Sequence, residues 1–67
     1  MKTILLADDE VNVRFVYEEE FKEDGYRVIS ASNGEEALEL FDNDSPDLVI
    51  LDIQMPGMNG IEVLRRM

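Results

Sequence analysis

Three short apolar runs, separated by segments with helical periodicity, constrain the fold of this chain most strongly. The runs are KTILLA at residues 2–7, YRVISA at 26–31 and LVILD at 48–52. Short apolar runs bounded by turn residues are typical of buried strands. Strands that alternate with helices at this spacing predict a parallel sheet with right-handed crossovers. We therefore expect an α/β fold in which residues 1–67 form one unit.

The segment between the first two runs predicts an amphipathic helix over residues 10–24. Its apolar face consists of Val13, Val16, Tyr17 and Phe21. This spacing places the four side chains on one side of a helix, and we expect that side to pack in the core. Gly25 follows as a left-handed C-terminal cap.

Two later segments carry helix-start signals. Asn33 with Glu36, and Asn59 with Glu62, have the three-residue spacing of a capping box. A second helix is therefore expected after Asn33 and a third after Asn59. Between them, residues 42–47 (DNDSPD) predict a loop that precedes the third strand.

Composition excludes several classes of protein. The chain has 67 residues, no Cys and no His, so a disulfide framework is excluded and a zinc staple is disfavoured. Sixteen acidic against six basic residues give a net charge of −10, which argues against binding to nucleic acid or to an anionic membrane surface. The apolar runs are too short to span a bilayer. We expect a cytoplasmic protein.

Acidic residues follow two of the three predicted strands. Asp8 and Asp9 come directly after the first run, and Asp52 ends the third. Parallel strands end at the same edge of a sheet, where ligands bind in such folds. If the two strands are neighbours, the three carboxylates converge and repel one another. Mg²⁺ would relieve this repulsion, because it prefers oxygen ligands, and Mn²⁺ is a second candidate.

The same acids have a structural interpretation. Asp8 or Asp9 can cap the first helix. Asp52 can be an ordinary turn residue at the end of a strand. For the first pair alone the two interpretations are equally good. The two acidic positions together favour a ligand site or a nucleophile.

The segments ILLADDE, GYRVISASNGEEALELF and PDLVILDIQMPGMNGIEVLRR together resemble the receiver domain of bacterial two-component response regulators. The resemblance implies a flavodoxin-like fold in which the first three strands have the order 2-1-3. It places on Asp52 the role of phosphoacceptor from a histidine kinase. It also assigns Mg²⁺ binding to Asp8, Asp9, Asp52 and the backbone carbonyl of Gln54.

The family has five strands and five helices, and this chain corresponds to strands one to three, helices one and two and the start of helix three. The resemblance also implies a Ser or Thr after strand four and a Lys after strand five. Lys2, Thr3 and Lys22 lie at positions that cannot replace them. We therefore expect a receiver fragment that keeps its acidic pocket but is not an enzyme and does not label itself efficiently.

The third strand is central in a receiver and would be an edge here. An apolar edge with unpaired backbone groups is a template for association. We expect a homodimer or higher assembly that completes the sheet. The alternative function is a self-assembling half-domain, natural or engineered, without signalling activity.

Overall fold

The computed structural model describes residues 1–53, 55 and 57–67, and in this part of the chain three strands alternate with three helices. The strands are β1 (Thr3–Ala7), β2 (Arg27–Ala31) and β3 (Leu48–Leu51), and the helices are α1 (Val11–Glu23), α2 (Gly34–Asp44) and α3 (Gly60–Arg66). Within the described ranges, no helix has the length and apolar character needed to cross a membrane.

The three strands form one parallel sheet in the order β2-β1-β3. In the register, Ala7 of β1 lies beside Ala31 of β2 and Leu51 of β3. The α/β prediction and the strand order implied by the resemblance are confirmed. All three strands run in the same direction, so their carboxyl ends meet at one edge of the sheet.

The core lies between the sheet and the pair α2 and α3. Its buried members come from β1, β2, the two helices and the loop before α3: Leu5, Ala7, Ala31, Ala37, Met55 and Val63. Ile4 and Leu6, which alternate with Leu5 along β1, are also buried but lie outside this cluster. Since successive side chains of a strand point to opposite faces, these two residues face α1.

Both predicted capping signals operate. The side chain of Asn33 accepts a hydrogen bond from the N–H of Glu36 at 2.9 Å. Asn59 accepts one from the N–H of Glu62, also at 2.9 Å. Gly25, with φ of 91°, takes the left-handed conformation expected after α1.

The predicted start of the loop at residue 42 is wrong. Helix α2 continues through Asp44, and Ser45 follows in the left-handed conformation with φ of 44°. The residues before Ser45 include no helix breaker. Pro46 disfavours a helical conformation at the residue that precedes it, so the helix ends there.

The prediction that the apolar face of α1 lies in the core is also wrong. Val13, Val16 and Tyr17 remain 41%, 58% and 47% exposed. The less exposed positions of α1 are Arg14, Glu18 and Phe21. These three recur at helical spacing, so α1 turns a largely polar stripe toward the sheet.

Candidate functional site

The acidic residues continue the strands that precede them. The N–H of Asp8, one residue beyond β1, donates to the carbonyl of Ala31 at 3.1 Å. The N–H of Asp52, one residue beyond β3, donates to the carbonyl of Ala7 at 2.9 Å. Both backbones are therefore still held in the ladder where their side chains leave the sheet.

These positions bring Asp8, Asp9 and Asp52 together. Each contributes a carboxylate oxygen, and the three oxygens lie within 4.8 Å of one another. The predicted convergence of the three carboxylates is confirmed, and their roles in binding and chemistry stay predictions. Asp8 and Asp52 are half-buried, so the cluster is open to solvent on one side.

The donor set fits a hard divalent cation. Ligands at about 2.1 Å from Mg²⁺ lie about 3 Å apart when adjacent and about 4 Å apart when opposite. The three oxygens lie within 4.8 Å of one another, so side-chain rotations would have to bring them closer before all three could bind one ion. Waters would fill the remaining positions, as is usual for Mg²⁺.

The alternative interpretation, in which Asp8 or Asp9 caps the first helix, agrees only in part with the structure. The residue before α1 is Glu10, whose side chain makes no capping hydrogen bond. Instead, Asp8 Oδ1 accepts a hydrogen bond from the N–H of Glu10 at 2.9 Å. This local turn orients the carboxyl group of Asp8 and leaves its second oxygen available for a ligand.

A network of polar side chains that begins on α1 holds the backbone of Asp8. Arg14 Nη1 donates to the backbone carbonyl of Asp8 at 2.8 Å. Arg14 Nε lies 3.8 Å from Glu18 Oε1, and Ser30 Oγ of β2 donates to the same oxygen at 2.5 Å. The network ties α1, β2 and the turn after β1 together.

Sequence reasoning missed Arg14. A signal was present, because Arg14 and Glu18 have the i, i+4 spacing of a helical ion pair. The signal was overlooked because the apolar pattern of α1 predicted that Val13, Val16 and Tyr17, and not Arg14, face the sheet.

Other residues assigned to the site have different outcomes. Gln54, whose carbonyl was expected as a metal ligand, lies outside the described residues, as does Pro56 of the predicted turn. Thr3 begins β1, with Lys2 before it, so both lie at the opposite end of the strand from Asp8. Lys22 lies in the last turn of α1.

Comparison with known proteins gives a consistent family. A profile of the response regulator receiver domain matches residues 4–67. Sporulation initiation phosphotransferase F of Bacillus subtilis is 45% identical over 64 residues, which cover 96% of this chain and 52% of that protein.

Solved structures agree with the sequence matches. The response regulator protein TrrA of Thermotoga maritima, crystallised in complex with Mg²⁺-BeF, superposes with a TM-score of 0.95 at 53% identity, over 98% of this chain and 57% of TrrA. TrrA in complex with the histidine kinase ThkA gives a TM-score of 0.92, with the same identity and the same shares.

The chain thus spans about half the length of these relatives. Its fold matches their N-terminal part, and its acidic cluster sits where the Mg²⁺ and phosphoacceptor site of a receiver domain would be. The chain belongs to the receiver-domain family of two-component response regulators.

Proposed function

We propose that Asp52 is a phosphoacceptor and that Asp8, Asp9 and Asp52 hold the divalent cation required for the transfer. The observation that carries this proposal is the meeting of three carboxylate oxygens within 4.8 Å at the carboxyl edge of the sheet. Support comes from a relative that was crystallised with Mg²⁺-BeF. The carbonyl of Gln54 stays a proposed further ligand.

The proposed reaction is one displacement at phosphorus. A carboxylate oxygen of Asp52 attacks the phosphoryl group of a phosphohistidine, an O–P bond forms, and the P–N bond breaks. The product is an acyl phosphate on Asp52, and the imidazole leaves with the electron pair of the broken bond. We propose a histidine kinase as the donor, since the relative TrrA was crystallised with one.

The residues of the cluster divide this work. Asp8 and Asp9, which follow β1, would bind the divalent cation through their carboxylates. Asp52, which follows the neighbouring strand β3, supplies the nucleophilic oxygen. When bound, Mg²⁺ or Mn²⁺ neutralises phosphoryl oxygens and aligns donor with acceptor. The hydrogen bond from Asp52 to Ala7 keeps the nucleophile aligned with the other two acids.

Thermal unfolding with added Mg²⁺ tests the cation site. Selective binding to the folded chain raises the melting temperature, because the ligand stabilises only the state that binds it. Asp52→Ala should abolish most of this rise. Asp42→Ala, which removes an equal charge from α2 outside the cluster, should retain it. An identical rise in both variants would show nonspecific screening and contradict the site.

Labelling with acetyl phosphate tests the chemistry. We propose that the 67-residue polypeptide is a poor self-labelling catalyst, because Lys2, Thr3 and Lys22 lie away from the acidic cluster. One missing preorganised donor typically costs about 10²–10³ in rate. Intact-mass spectrometry should therefore show very slow labelling, which Asp52→Asn abolishes. Labelling as fast as in TrrA would contradict the low rate, and labelling unchanged by Asp52→Asn would contradict the acceptor.

We also propose, as a second function, that the polypeptide assembles through the free side of β3. In the described part of the chain, β3 pairs only with β1. A second copy related by a two-fold axis would pair antiparallel with β3 and give one six-stranded sheet. The charge of −10 opposes this contact, so salt should favour it.

Light scattering at several protein and salt concentrations tests the assembly. The outward N–H groups of β3 belong to Val49 and Leu51, since Asp52 N–H points toward β1 and strand residues alternate. Val49→Pro removes one outward donor and should weaken the dimer. Circular dichroism checks that the variant remains folded. A folded monomer at all concentrations would contradict the proposal.

A further inference from the structure

The main chain around Asp52 is held from two sides. On one side, its N–H donates to the carbonyl of Ala7 in β1 at 2.9 Å. On the other, the first residue of α3, Gly60, donates its N–H to the carbonyl of Ile53 at 2.9 Å. The short segment that carries the proposed nucleophile therefore lies between the central strand and the start of a helix.

The contact with α3 is closer than any side chain allows. A Cβ added at Gly60 would overlap the carbonyl oxygen of Asp52 and lie 2.9 Å from Cα of Ile53. It would also lie 3.0 Å from the carbonyl carbon of Asp52. All three are main-chain atoms, so relief would require the backbone of Asp52, or the helix itself, to move.

Helix α3 has little freedom to make that movement. Val63, one turn into the helix, is fully buried in the core. Gly34 of α2 packs against the same region, since a Cβ there would lie 2.7 Å from Cγ2 of Val63. Because Val63 anchors α3 in the core, a larger residue at position 60 would strain the backbone of Asp52 as well as the start of the helix.

We infer that Gly60 is a positioning residue for Asp52: its missing side chain lets α3 fix the carboxylate relative to Asp8 and Asp9. The inference rests on the proposed function for its effect on cation binding. The structural part, the restraint on the Asp52 backbone, stands on the contacts alone.

Cation titration of Gly60→Ala tests the inference, with Gly34→Ala as the matched control. Both variants add one methyl group at a close contact that involves α3. The added group lies against the backbone of Asp52 in Gly60→Ala and against Val63 and Met58 in Gly34→Ala. Mn²⁺ binding, followed by electron paramagnetic resonance of the free ion, should weaken about 10-fold in Gly60→Ala, the scale of lost ligand orientation. Gly34→Ala should weaken binding less, because its added methyl group lies closest to a side-chain atom of Val63 and not to the backbone of Asp52.

A double-mutant comparison separates positioning from general destabilisation. If Gly60 acts through Asp52, Gly60→Ala should have little further effect on Mn²⁺ affinity in an Asp52→Asn chain. Equal losses of affinity with and without the Asp52 carboxylate would overturn the inference. So would equal affinities of Gly60→Ala and the unmodified chain.

Amide hydrogen exchange gives a readout that needs no metal. Gly60→Ala should speed exchange of the Asp52 N–H more than that of Leu5 in the centre of β1, whereas Gly34→Ala should affect the two amides alike. If the unmodified chain binds no Mn²⁺ but Asp52 exchange responds selectively, the proposed cation site fails and the positioning role stands. If exchange is unselective, the positioning role fails.

A second variant covers the case in which Gly60→Ala does not fold. Asn59→Ala removes the cap of α3 without adding atoms near Asp52. By loosening the first turn of the helix, it should also speed exchange of the Asp52 N–H selectively. Unchanged exchange of that amide in folded Asn59→Ala would overturn the inference.

Discussion

The two faces of the sheet are built differently, although β1 supplies residues to both. On one face, α2 and α3 close over Leu5 and Ala7 and bury Ala37 and Val63 with them. The contacts there are apolar, and both helices begin with a satisfied side-chain cap. This face contains the part of the molecule that resembles an ordinary protein core.

On the other face, α1 covers Ile4 and Leu6 with a largely polar stripe. Arg14 and Glu18 point toward the sheet, while Val16 and Tyr17 remain about half exposed. The polar stripe reaches the backbone of Asp8, which bears one of the clustered carboxylates. Apolar burial on the first face therefore stabilises the fold, and its helix α3 also contacts the backbone of Asp52, whereas on the second face a polar network supports Asp8.

The largest expected difference in stability between the two faces is seen when a valine on each face is replaced by alanine. Val63→Ala removes two methyl groups from a fully buried side chain of α3. Lost transfer free energy and the remaining cavity should lower the free energy of unfolding by about 2–3 kcal/mol. Val16→Ala on α1 should change it by less than about 0.5 kcal/mol, since that side chain is already exposed.

Urea denaturation of the two variants measures this difference. Helix propensity changes equally in both, because each is a Val→Ala substitution within a helix. A loss at Val16 comparable to that at Val63 would show that α1 is covered in solution. That outcome would break the comparison and favour assembly through the α1 face.

The next effect concerns the support of Asp8. Arg14→Met keeps an apolar stem but removes the donor to the Asp8 carbonyl and the partner of Glu18. A charge-assisted hydrogen bond typically contributes about 1.5–3 kcal/mol, and the free energy of unfolding should fall by roughly that amount. Arg66→Met on α3 is the control, and its exposed pair with Glu62 should contribute less than about 1 kcal/mol. Equal losses would indicate that the α1 network does not form in solution.

Much of the fold was predictable from sequence because its signals are local. Apolar run length identified the strands, and Asn33 and Asn59 identified two helix starts. The alternation of strands and helices then fixed a parallel sheet. The end of α2 was missed, because helix ends depend on the competition between weak preferences at Asp42, Asp44 and Ser45.

The acidic cluster was also predictable, since parallel strands end at one edge and the acids follow directly. What sequence could not supply was the orientation of α1. Its apolar pattern predicted that Val13, Val16 and Tyr17 face the core, whereas the sheet lies against Arg14 and Glu18. The choice depends on tertiary contacts, such as the hydrogen bond between Ser30 and Glu18, which periodicity does not encode.

A smaller loss of stability is expected when the hydroxyl of Ser30 is removed, and Ser32, two residues along the chain, provides the control. Ser30→Ala removes the donor to Glu18 and should lower the free energy of unfolding by about 1 kcal/mol. Ser32 contacts Glu36 through its hydroxyl at 3.4 Å in an exposed position, and its N–H contributes a shorter bond that Ala would keep. Ser32→Ala should therefore be close to neutral. Chemical denaturation measures the free energy of unfolding of both variants. If Ser30→Ala were as neutral as Ser32→Ala, the hydrogen bond between Ser30 and Glu18 would not stabilise the fold.

The smallest expected effect is the salt response of two ion pairs with the same i, i+4 spacing. Arg14 and Glu18 are 18% and 22% exposed, whereas Arg66 and Glu62 are 58% and 42% exposed. A double-mutant cycle on the α3 pair should give a coupling of about 0.3–0.5 kcal/mol at low salt. That coupling should vanish near 1 M NaCl, where the screening length falls to about 3 Å. The cycle on the α1 pair should retain most of its coupling, because partial burial and the hydrogen bond from Ser30 protect Glu18 from screening. If both couplings disappear together, the polar stripe of α1 is as accessible to ions as the surface of α3, and the two faces differ only in their apolar packing.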